Sequence, residues 1–234
     1  MKNLIAIPTY NEFGNIDSLI EAINKENLNT DILFIDDNSQ DKTQDAIKKN
    51  QINYSNIKLI SRDKKIGVGD AHLKAVEYAF KNNYNILVTM DADFTHNPKY
   101  IREMISLAET VHLVVGSRHI KKNSIDTWPI IRKFLTNCAF FVTKNFLKID
   151  FDATSGFRCY NLDKLNPEFF TKIKSKSYSF FVESSFEINK NLIVRTLPID
   201  MPIRFAEKSK MKIKDMSFTI LLILRLFFSR FIKF

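Results

Sequence analysis

The sequence predicts an α/β fold in which a central, mostly parallel sheet is flanked by helices. Short runs of branched apolar residues alternate with segments of helical periodicity, so that a strand followed by a helix occurs four times in the first half of the chain. Most of these runs end in a polar loop, and right-handed crossovers place the ends of parallel strands along one edge of the sheet. The chain has 234 residues, 45% of them hydrophobic, which suits one domain with a sizeable core.

The strands are predicted where apolar residues follow one another between turn signals. The run that begins at Asn85 is nearly continuous in its apolar character, which is typical of a strand buried on both faces. It ends at two carboxylates, Asp91 and Asp93. The predicted strands are 2–7, 31–35, 57–60, the run from Asn85, 112–115 and 192–199.

The helices are predicted from apolar residues that recur on one face, as they do over 16–23. Pro98 suits the first turn of another helix. The segment 151–160 is less regular, and no strand or helix is predicted for it. The predicted helices are 16–23, one that starts at 41–43, 71–80, 98–108, 128–147, 178–188 and 215–234.

Asp91 and Asp93 stand two residues apart, so in extended geometry their side chains point the same way. Open α/β sheets bind ligands at this edge, and two convergent carboxylates suit a divalent cation. An acidic turn explains the same residues, because Asp is common in turns for its own hydrogen-bonding reasons. The stretch alone leaves both interpretations open.

The five glycines each lie in or beside a predicted strand-end loop, and none is expected inside a periodic helix. Glycines in such places indicate special backbone angles or a close approach to a ligand. They are Gly14, Gly67, Gly69, Gly116 and Gly156.

The net charge is +9, and residues 201–234 hold eight Lys or Arg against two acidic residues. Because this basic excess adjoins the most hydrophobic segment, it favours an anionic membrane surface as partner over nucleic acid. No nucleic-acid-binding signature is present. The two cysteines, Cys138 and Cys159, have neither metal-ligand nor redox spacing, which fits a reducing compartment.

Several polar motifs follow the predicted strands in a specific order. They are Pro8–Glu12, Asp36–Asp37, Lys65 with Gly67 and Gly69, Asp91–Asp93 and Gly116–Arg118, followed by Trp128–Arg132, Ser155–Arg158 and Ser209–Lys210. This series resembles the family 2 glycosyltransferases with the GT-A fold, and within them the polyprenyl-phosphate (dolichol-phosphate) mannose synthases. The resemblance covers residues 4–210. A dinucleotide-binding Rossmann domain and a P-loop are excluded, because their glycine motifs are absent.

The resemblance implies a Rossmann-like GT-A enzyme that binds a nucleotide sugar and a divalent metal, Mg²⁺ or Mn²⁺. Asp93 would be the direct metal ligand, Asp91 would bind metal or ribose, and Thr95 stands where the family often has a better ligand. Asp36 is expected to bond local backbone N–H groups, and His96 to be an exposed histidine at a helix start. The implied nucleotide-sugar residues are Pro8, Tyr10, Glu12, Asp37, Lys65, Gly67, Asp91, Ala92 and Asp93.

The acceptor implied by the resemblance is a polyprenyl phosphate, which needs cations to bind its phosphate. The matching basic residues are Arg118, Arg132, Arg204 and Lys210, and the implied catalytic residues are Asp91, Asp93 and Arg118. A solvated charge at a strand end is the alternative for Arg118, where the acceptor role is favoured, whereas an exposed helix face explains Arg132 equally well. The resemblance also implies inversion at the anomeric carbon.

Residues 215–234 are predicted to form an apolar helix about 30 Å long. Its polar stripe of Arg225, Ser229 and Lys233 favours a helix that lies in the membrane interface, with 134–146 as a second contact. Docking on the protein's own core is the alternative. We therefore expect a catalytic domain over 1–212 and an interface helix over 213–234, in a peripheral or monotopic protein at the cytoplasmic face of the membrane.

Two other functions are open at this stage. One is transfer to a sugar hydroxyl of a glycolipid or polysaccharide, which needs a carboxylate base such as Glu183. The other is a membrane-peripheral protein that binds nucleotide sugars without turnover. The presence of both Asp91 and Asp93 argues against the second, because a binder has little reason to seat a catalytic metal.

Overall fold

A computed structural model describes residues 1–203 and 213–230. The strands of this part of the chain form one sheet in the order β3-β2-β1-β4-β6-β5-β7. The strands are β1 (Asn3–Thr9), β2 (Thr30–Asp36), β3 (Ile57–Ser61), β4 (Ile86–Thr89), β5 (Leu113–Ser117), β6 (Arg158–Asn161) and β7 (Val194–Pro198). The helices are α1 (Phe13–Lys25), α2 (Thr43–Asn53), α3 (Val68–Lys81), α4 (Ile101–Ala108), α5 (Ile130–Phe146), α6 (Glu168–Thr171), α7 (Ser179–Asn191) and α8 (Ile213–Ser229). Two 3₁₀ helices, Pro98–Tyr100 and Leu162–Lys164, complete the elements of the described residues.

The α/β fold with a mostly parallel sheet is confirmed, and one strand of it was not predicted. β6 pairs antiparallel with both β4 and β5, whereas β1 to β4 are parallel and β7 is parallel to β5. β6 is only four residues long and carries the buried Arg158, so it lacks the apolar run that indicates a strand. Because β4 and β5 both run opposite to β6, their carboxyl ends still reach the same edge of the sheet.

The core lies on both faces of the sheet, because successive strand residues point to opposite sides. Leu4 and Ala6 of β1 join a cluster with α3, α6 and α7, and Ile5 and Ile7 join a cluster with α1, α2 and α4. Every one of these strand residues is fully buried. The sheet is therefore covered on both sides, and the loops at its carboxyl edge are left to form a site.

Two glycines lie inside helices, contrary to expectation, because α1 and α3 begin earlier than predicted. Gly14 and Gly69 are the second residues of these helices. A Cβ on Gly69 would lie 2.5 Å from the Phe180 Cβ and 2.7 Å from the Ser177 carbonyl oxygen. The close approach at this glycine is thus to the amino-terminal end of α7 and not to a ligand.

Helices α5 and α8 expose much of their apolar surface. In α8, Ile223, Leu226 and Phe227 pack against the core, while five other large apolar residues of the helix are exposed. Phe146 of α5 contacts Phe227, with 5.6 Å between ring centroids. The exposed large apolar residues of the two helices are Ile130, Ile131, Phe134, Leu135, Phe141, Phe146, Phe218, Ile220, Leu221, Leu224 and Phe228. In residues 1–203 and 213–230, no helix combines the length and the apolar character needed to cross a membrane.

Candidate active site

The carboxyl end of β4 leads directly into Asp91 and Asp93. Asp93 is buried, and its Oδ1 accepts hydrogen bonds from the Thr95 N–H at 3.1 Å and from the Thr95 hydroxyl at 2.6 Å. Asp91 is more open, with 36% of its side chain exposed. Phe94 has a positive φ of 62°, which turns the chain sharply between the pair and Thr95. Thr95 therefore orients the Asp93 carboxylate at the edge where ligands bind.

His96 is buried beneath this turn, so the expectation of an exposed histidine at a helix start was wrong. Its ring stacks on Phe157 with 4.9 Å between centroids, and its Nδ1 accepts a hydrogen bond from the Asp91 backbone N–H at 2.9 Å. The following 3₁₀ helix is capped instead by Asn97, whose Oδ1 accepts from the Lys99 N–H at 3.0 Å. Stacking on an aromatic ring that lies 61 residues further along the chain could not be inferred from local sequence.

Asp36 at the end of β2 has the structural role expected for it. Its buried carboxylate accepts hydrogen bonds from the Ser39 N–H at 2.9 Å, the Thr9 hydroxyl at 3.0 Å and the Gln44 amide at 2.7 Å. The Thr9 bond ties the end of β1 to the end of β2. Asp36 thus braces the edge of the sheet from a fully buried position.

Asp37 holds the loop between β3 and α3 against the end of β2. Its two carboxylate oxygens accept the N–H groups of Ile66 and Gly67, each at 3.0 Å, and Arg62 lies 2.7 Å from its Oδ1. Gly67 has φ of 136°, a conformation that L side chains rarely adopt. The loop that carries Lys65 is therefore fixed beside the strand end.

The end of β1 meets this same loop. The Lys65 ammonium lies 3.5 Å from the centroid of the Tyr10 ring, a distance that indicates a cation–π contact. Glu12 donates its backbone N–H to the Thr43 hydroxyl at 2.8 Å and accepts the Asn15 side-chain amide through Oε2 at 2.8 Å. The predicted nucleotide-binding segments that carry Tyr10, Asp37 and Lys65 are thus brought together. Of the other predicted residues, Pro8 lies within β1 and Ala92 is buried.

Arg118 at the end of β5 is anchored by Asp152, a carboxylate that was not predicted from the sequence. Its Nε donates to the Asp152 Oδ2 at 2.8 Å. Burial raises the pKa of Asp152, but Arg118, His119 and a hydrogen bond from Thr154 outweigh it and hold that pKa below its usual value. The Asp152-Ala-Thr154 stretch, in which Asp152 Oδ1 accepts the Thr154 N–H at 3.2 Å, is the only local signal that could have pointed to this residue.

One indole, that of Trp128, lies close to two of the predicted acceptor residues. The guanidinium carbon of Arg132 lies 3.6 Å from the centroid of the Trp128 ring, and that of Arg118 lies 5.8 Å from it. Trp128 is itself buried and donates its Nε1–H to the Met201 carbonyl at 2.9 Å. Arg132 is therefore stacked on a fixed aromatic ring. Arg204 and Lys210, the other two predicted acceptor residues, lie outside the described residues.

The ends of β4 and β5 are joined through Phe157, in the turn before β6. The Phe157 ring stacks on His96, and a Cβ on Gly116 would lie 3.1 Å from it. The Phe157 carbonyl also accepts the Gly116 N–H at 2.9 Å. His96, beneath the Asp91–Asp93 turn, and Gly116, on the strand that leads to Arg118, thus both contact Phe157.

At this edge of the sheet the protein offers two candidate oxygen ligands for a metal ion, Asp91 and Asp93. Within residues 1–203 and 213–230, no group of three or more His, Cys, Asp or Glu side chains is arranged to hold a metal ion. Asp91 and Asp93 are carboxylates of the kind that Mg²⁺ and Mn²⁺ prefer, and a cation bound there would need further oxygens from a ligand or water.

The model of the family described as glycosyl transferase family 2 matches residues 4–168. The chain belongs to this family. It is therefore a glycosyltransferase, as the polar strand ends suggested. Asp91, Asp93 and Arg118 all lie within the matched part of this family 2 chain.

Two relatives of this family 2 glycosyltransferase are similar over most of its length. An undecaprenyl-phosphate mannosyltransferase from Micrococcus luteus is 28% identical over 212 residues, which are 89% of this chain and 85% of that protein. A polyprenol monophosphomannose synthase from Mycolicibacterium smegmatis is 27% identical over 211 residues, 88% of this chain and 78% of that protein. The resemblance to polyprenyl-phosphate mannose synthases is thus confirmed.

Solved structures with the same fold include glucosyl-3-phosphoglycerate synthase from Mycobacterium tuberculosis. Its complex with Mn²⁺, UDP and glucosyl-3-phosphoglycerate has a TM-score of 0.65 at 16% identity, over 98% of this chain and 79% of that one. Its complex with Mn²⁺, UDP-glucose and phosphoglyceric acid has a TM-score of 0.68 at 15% identity over the same shares. At this identity the likeness establishes the fold.

Proposed function

We propose that this enzyme transfers a hexose, mannose or glucose, from a nucleotide sugar to a polyprenyl phosphate at the cytoplasmic face of a membrane, with inversion at the anomeric carbon. The observation that carries the proposal is the pair of guanidiniums of Arg118 and Arg132 beside one indole. Arg118 comes after the end of β5, at the same edge of the sheet as Asp91 and Asp93. The names of the two similar mannosyltransferases, which match nearly nine-tenths of the chain, support the same acceptor and sugar.

The donor would lie across the ends of β1, β2 and β4. Tyr10 and Lys65, which contact each other, would flank the nucleotide, with Pro8, Glu12, Asp37, Gly67 and Ala92 lining the rest of its pocket. Asp91 and Asp93 would hold Mg²⁺ or Mn²⁺, as the Mn²⁺ complexes of the structural neighbours suggest. Such an ion stabilises the negative charge of a departing nucleoside diphosphate.

The acceptor phosphate would bind to Arg118 and Arg132, and to Arg204 and Lys210 from the segment outside the described residues. A phosphomonoester has a second pKa of about 6 and is mostly a dianion at neutral pH. Its oxygen can therefore attack the anomeric carbon without a strong general base. Asp152 would keep the Arg118 guanidinium in place for this contact.

The rival acceptor, a sugar hydroxyl, needs a carboxylate base. Glu183 is the candidate from the second half of the chain, and its Oε2 accepts the backbone N–H groups of Ser175 and Lys174 at 2.7 and 3.1 Å. A carboxylate engaged in this way favours a structural role. We therefore expect Glu183→Gln to leave the pH–rate profile unchanged, and loss of the fall in rate at low pH would favour the hydroxyl acceptor.

The membrane contact would come from the exposed apolar faces of α5 and α8. Phe134, Leu221 and Leu224 are among the residues that these faces present to the outside. The division into a catalytic domain over 1–212 and an interface helix over 213–234 belongs to the same proposal. A peripheral or monotopic enzyme of this kind would meet its lipid acceptor at the surface of the bilayer.

The test is a panel of nucleotide sugars with polyprenyl phosphate and Mg²⁺ or Mn²⁺, in which lipid-extractable sugar is measured. Asp93→Ala should reduce the rate about 100-fold or more, because a Lewis-acid metal contributes several kcal/mol. Asp45→Ala, an exposed aspartate of α2, is the matched control and should retain the wild-type rate. Full activity in EDTA would contradict the metal role. Lack of a lipid product with every donor would contradict the acceptor, and lack of released nucleoside diphosphate would favour binding without turnover.

A further inference from the structure

We propose that His96 is a positioning residue that fixes the backbone of Asp91 from beneath the turn. Its Nδ1 accepts the Asp91 N–H at 2.9 Å, at the point where the chain leaves β4 and turns toward Asp93. This inference rests on the metal-binding role proposed above for Asp91 and Asp93, and it adds a residue that is not itself a ligand.

The hydrogen bond selects one tautomer of the imidazole. A ring nitrogen that accepts from an N–H carries a lone pair, so Nδ1 is unprotonated and the ring proton of the neutral imidazole lies on Nε2. Nδ1 also lies 3.9 Å from the Asp91 Oδ2, which is too long for a hydrogen bond. His96 therefore acts on the main chain of Asp91 and leaves the carboxylate to face the site.

The imidazole is confined in a narrow slot. It is 2% exposed and nearly parallel to the Phe157 ring, at an angle of 14°. A Cβ on Gly156 would lie 3.6 Å from the His96 Cε1 and 3.3 Å from the Phe181 ring, so glycine at this position leaves the slot open. A ring that is held in this way can fix the peptide group to which it is bonded.

Thr95 and His96, which follow the two aspartates in the chain, thus each orient one of them. Thr95 bonds the side chain of Asp93, and His96 bonds the main chain of Asp91. Residues that orient metal ligands without touching the metal typically alter its affinity about 10- to 100-fold when they are replaced. We expect an effect in this range from the loss of the His96 acceptor.

Three variants of His96 distinguish the effect of its hydrogen-bond acceptor from the effect of the space that its ring fills. His96→Asn places Oδ1 at the branch occupied by Nδ1 and keeps an acceptor, whereas His96→Leu and His96→Met fill space without one. His72→Leu is the matched control, because His72 is equally buried and neither of its ring nitrogens has a hydrogen-bond partner within the described part of the chain.

The first measurement is hydrogen exchange at the Asp91 amide in protein without metal. His96→Leu should speed exchange about tenfold or more, and His96→Asn should restore it, because a bonded N–H is protected from exchange. The second is the affinity for Mn²⁺ with UDP or GDP, measured from the electron paramagnetic resonance of free Mn²⁺. His96→Leu should weaken it about tenfold, and His96→Asn should lie within about threefold of wild type.

Unchanged exchange and Mn²⁺ affinity in His96→Leu would overturn the inference, as would a failure of His96→Asn to restore either. If His96→Leu does not fold, His96→Met takes its place, and its comparison with His96→Asn decides in the same way. Asp93→Ala separates this inference from the proposed function. If that variant binds Mn²⁺ as wild type does, the proposed metal site fails, while exchange at the Asp91 amide still tests the role of His96.

Discussion

At the scale of single residues, the buried histidine His72 has an energetic cost. It is 1% exposed on α3, in contact with the rings of Phe180 and Phe181, and its two ring nitrogens have no hydrogen-bond partner in residues 1–203 and 213–230. Burial, with smaller contributions from Arg158 and His96, lowers its pKa from 6.5 to about 3. His72 is therefore neutral in the folded protein at every pH near neutrality.

This histidine should make the protein less stable in mild acid. Between pH 3 and 6.5 the unfolded chain binds a proton at His72 that the folded protein does not, so the free energy of unfolding falls as pH decreases below 6.5. At pH 5 the contribution of this group is about 2 kcal/mol. His72→Leu should remove that much of the decrease between pH 7 and pH 5 in urea unfolding. An equal decrease in both proteins would show that His72 titrates normally.

At the scale of elements, the start of α3 packs against the start of α7 without room for a side chain. The Asp70 N–H donates to the Lys176 carbonyl at 3.0 Å, and Gly69 lies directly over Ser177 and Phe180. The preceding residues of the same loop are held by Asp37. This contact therefore supports the segment that carries Lys65 and Gly67 at the proposed nucleotide pocket.

Gly69→Ala should destabilise the protein, because its Cβ would lie 2.5 Å from the Phe180 Cβ, an atom with no freedom to rotate away. We expect a loss of about 2 kcal/mol in the free energy of unfolding, measured by urea denaturation. The matched control is Gly14→Ala at the second position of α1, where a Cβ would meet nothing within 4 Å. That variant should be unchanged or more stable by up to about 1 kcal/mol. Equal effects of the two substitutions would contradict the packing argument.

At the scale of the whole molecule, the exposed apolar surface is concentrated on two helices. α5 and α8 meet where Phe146 contacts Phe227, and Arg230 donates to the Phe146 carbonyl at 2.9 Å. α8 also lies on α7 and thus on the sheet face that α3 covers. Exposed apolar residues on two helices that meet in this way, on a chain with a net charge of +9, fit the proposed contact with an anionic bilayer.

Leu221→Glu should weaken binding to anionic vesicles about tenfold or more, because burial of a leucine in an apolar phase contributes roughly 1.5–3 kcal/mol. Leu221 is 62% exposed on α8. The control is Ile52→Glu, which replaces an 85% exposed residue of α2 on the other face of the sheet and should bind as wild type does. Co-sedimentation with phosphatidylcholine vesicles, with and without phosphatidylglycerol, measures both. Equal binding by the two variants would exclude α8 from the contact.

The sequence by itself determined the order of the strands and helices other than β6 and α6, and the set of polar strand ends. Periodicity is a local property, and parallel strands joined by right-handed crossovers must present their carboxyl ends at one edge. For that reason Asp91, Asp93 and Arg118 could be grouped from the sequence, although their catalytic and binding roles remain predictions. The long apolar face of 128–147 was also predicted, with 134–146 as a second membrane contact, and most of this face is exposed in the structure.

Only the tertiary structure decided what supports those residues. The pair of Arg118 and Asp152 joins positions 34 apart, and the Thr89 hydroxyl bonds the Gly156 carbonyl across 67 residues. β6 belongs to the sheet because β4 and β5 pair with it on both sides, a long-range contribution that outweighs its lack of an apolar run. His96 is buried for the same reason. The pairing of β6 between β4 and β5 brings in the preceding turn, which supplies the Phe157 ring on which His96 stacks. Contacts between distant segments carry no local periodicity, and so they became visible only in the folded chain.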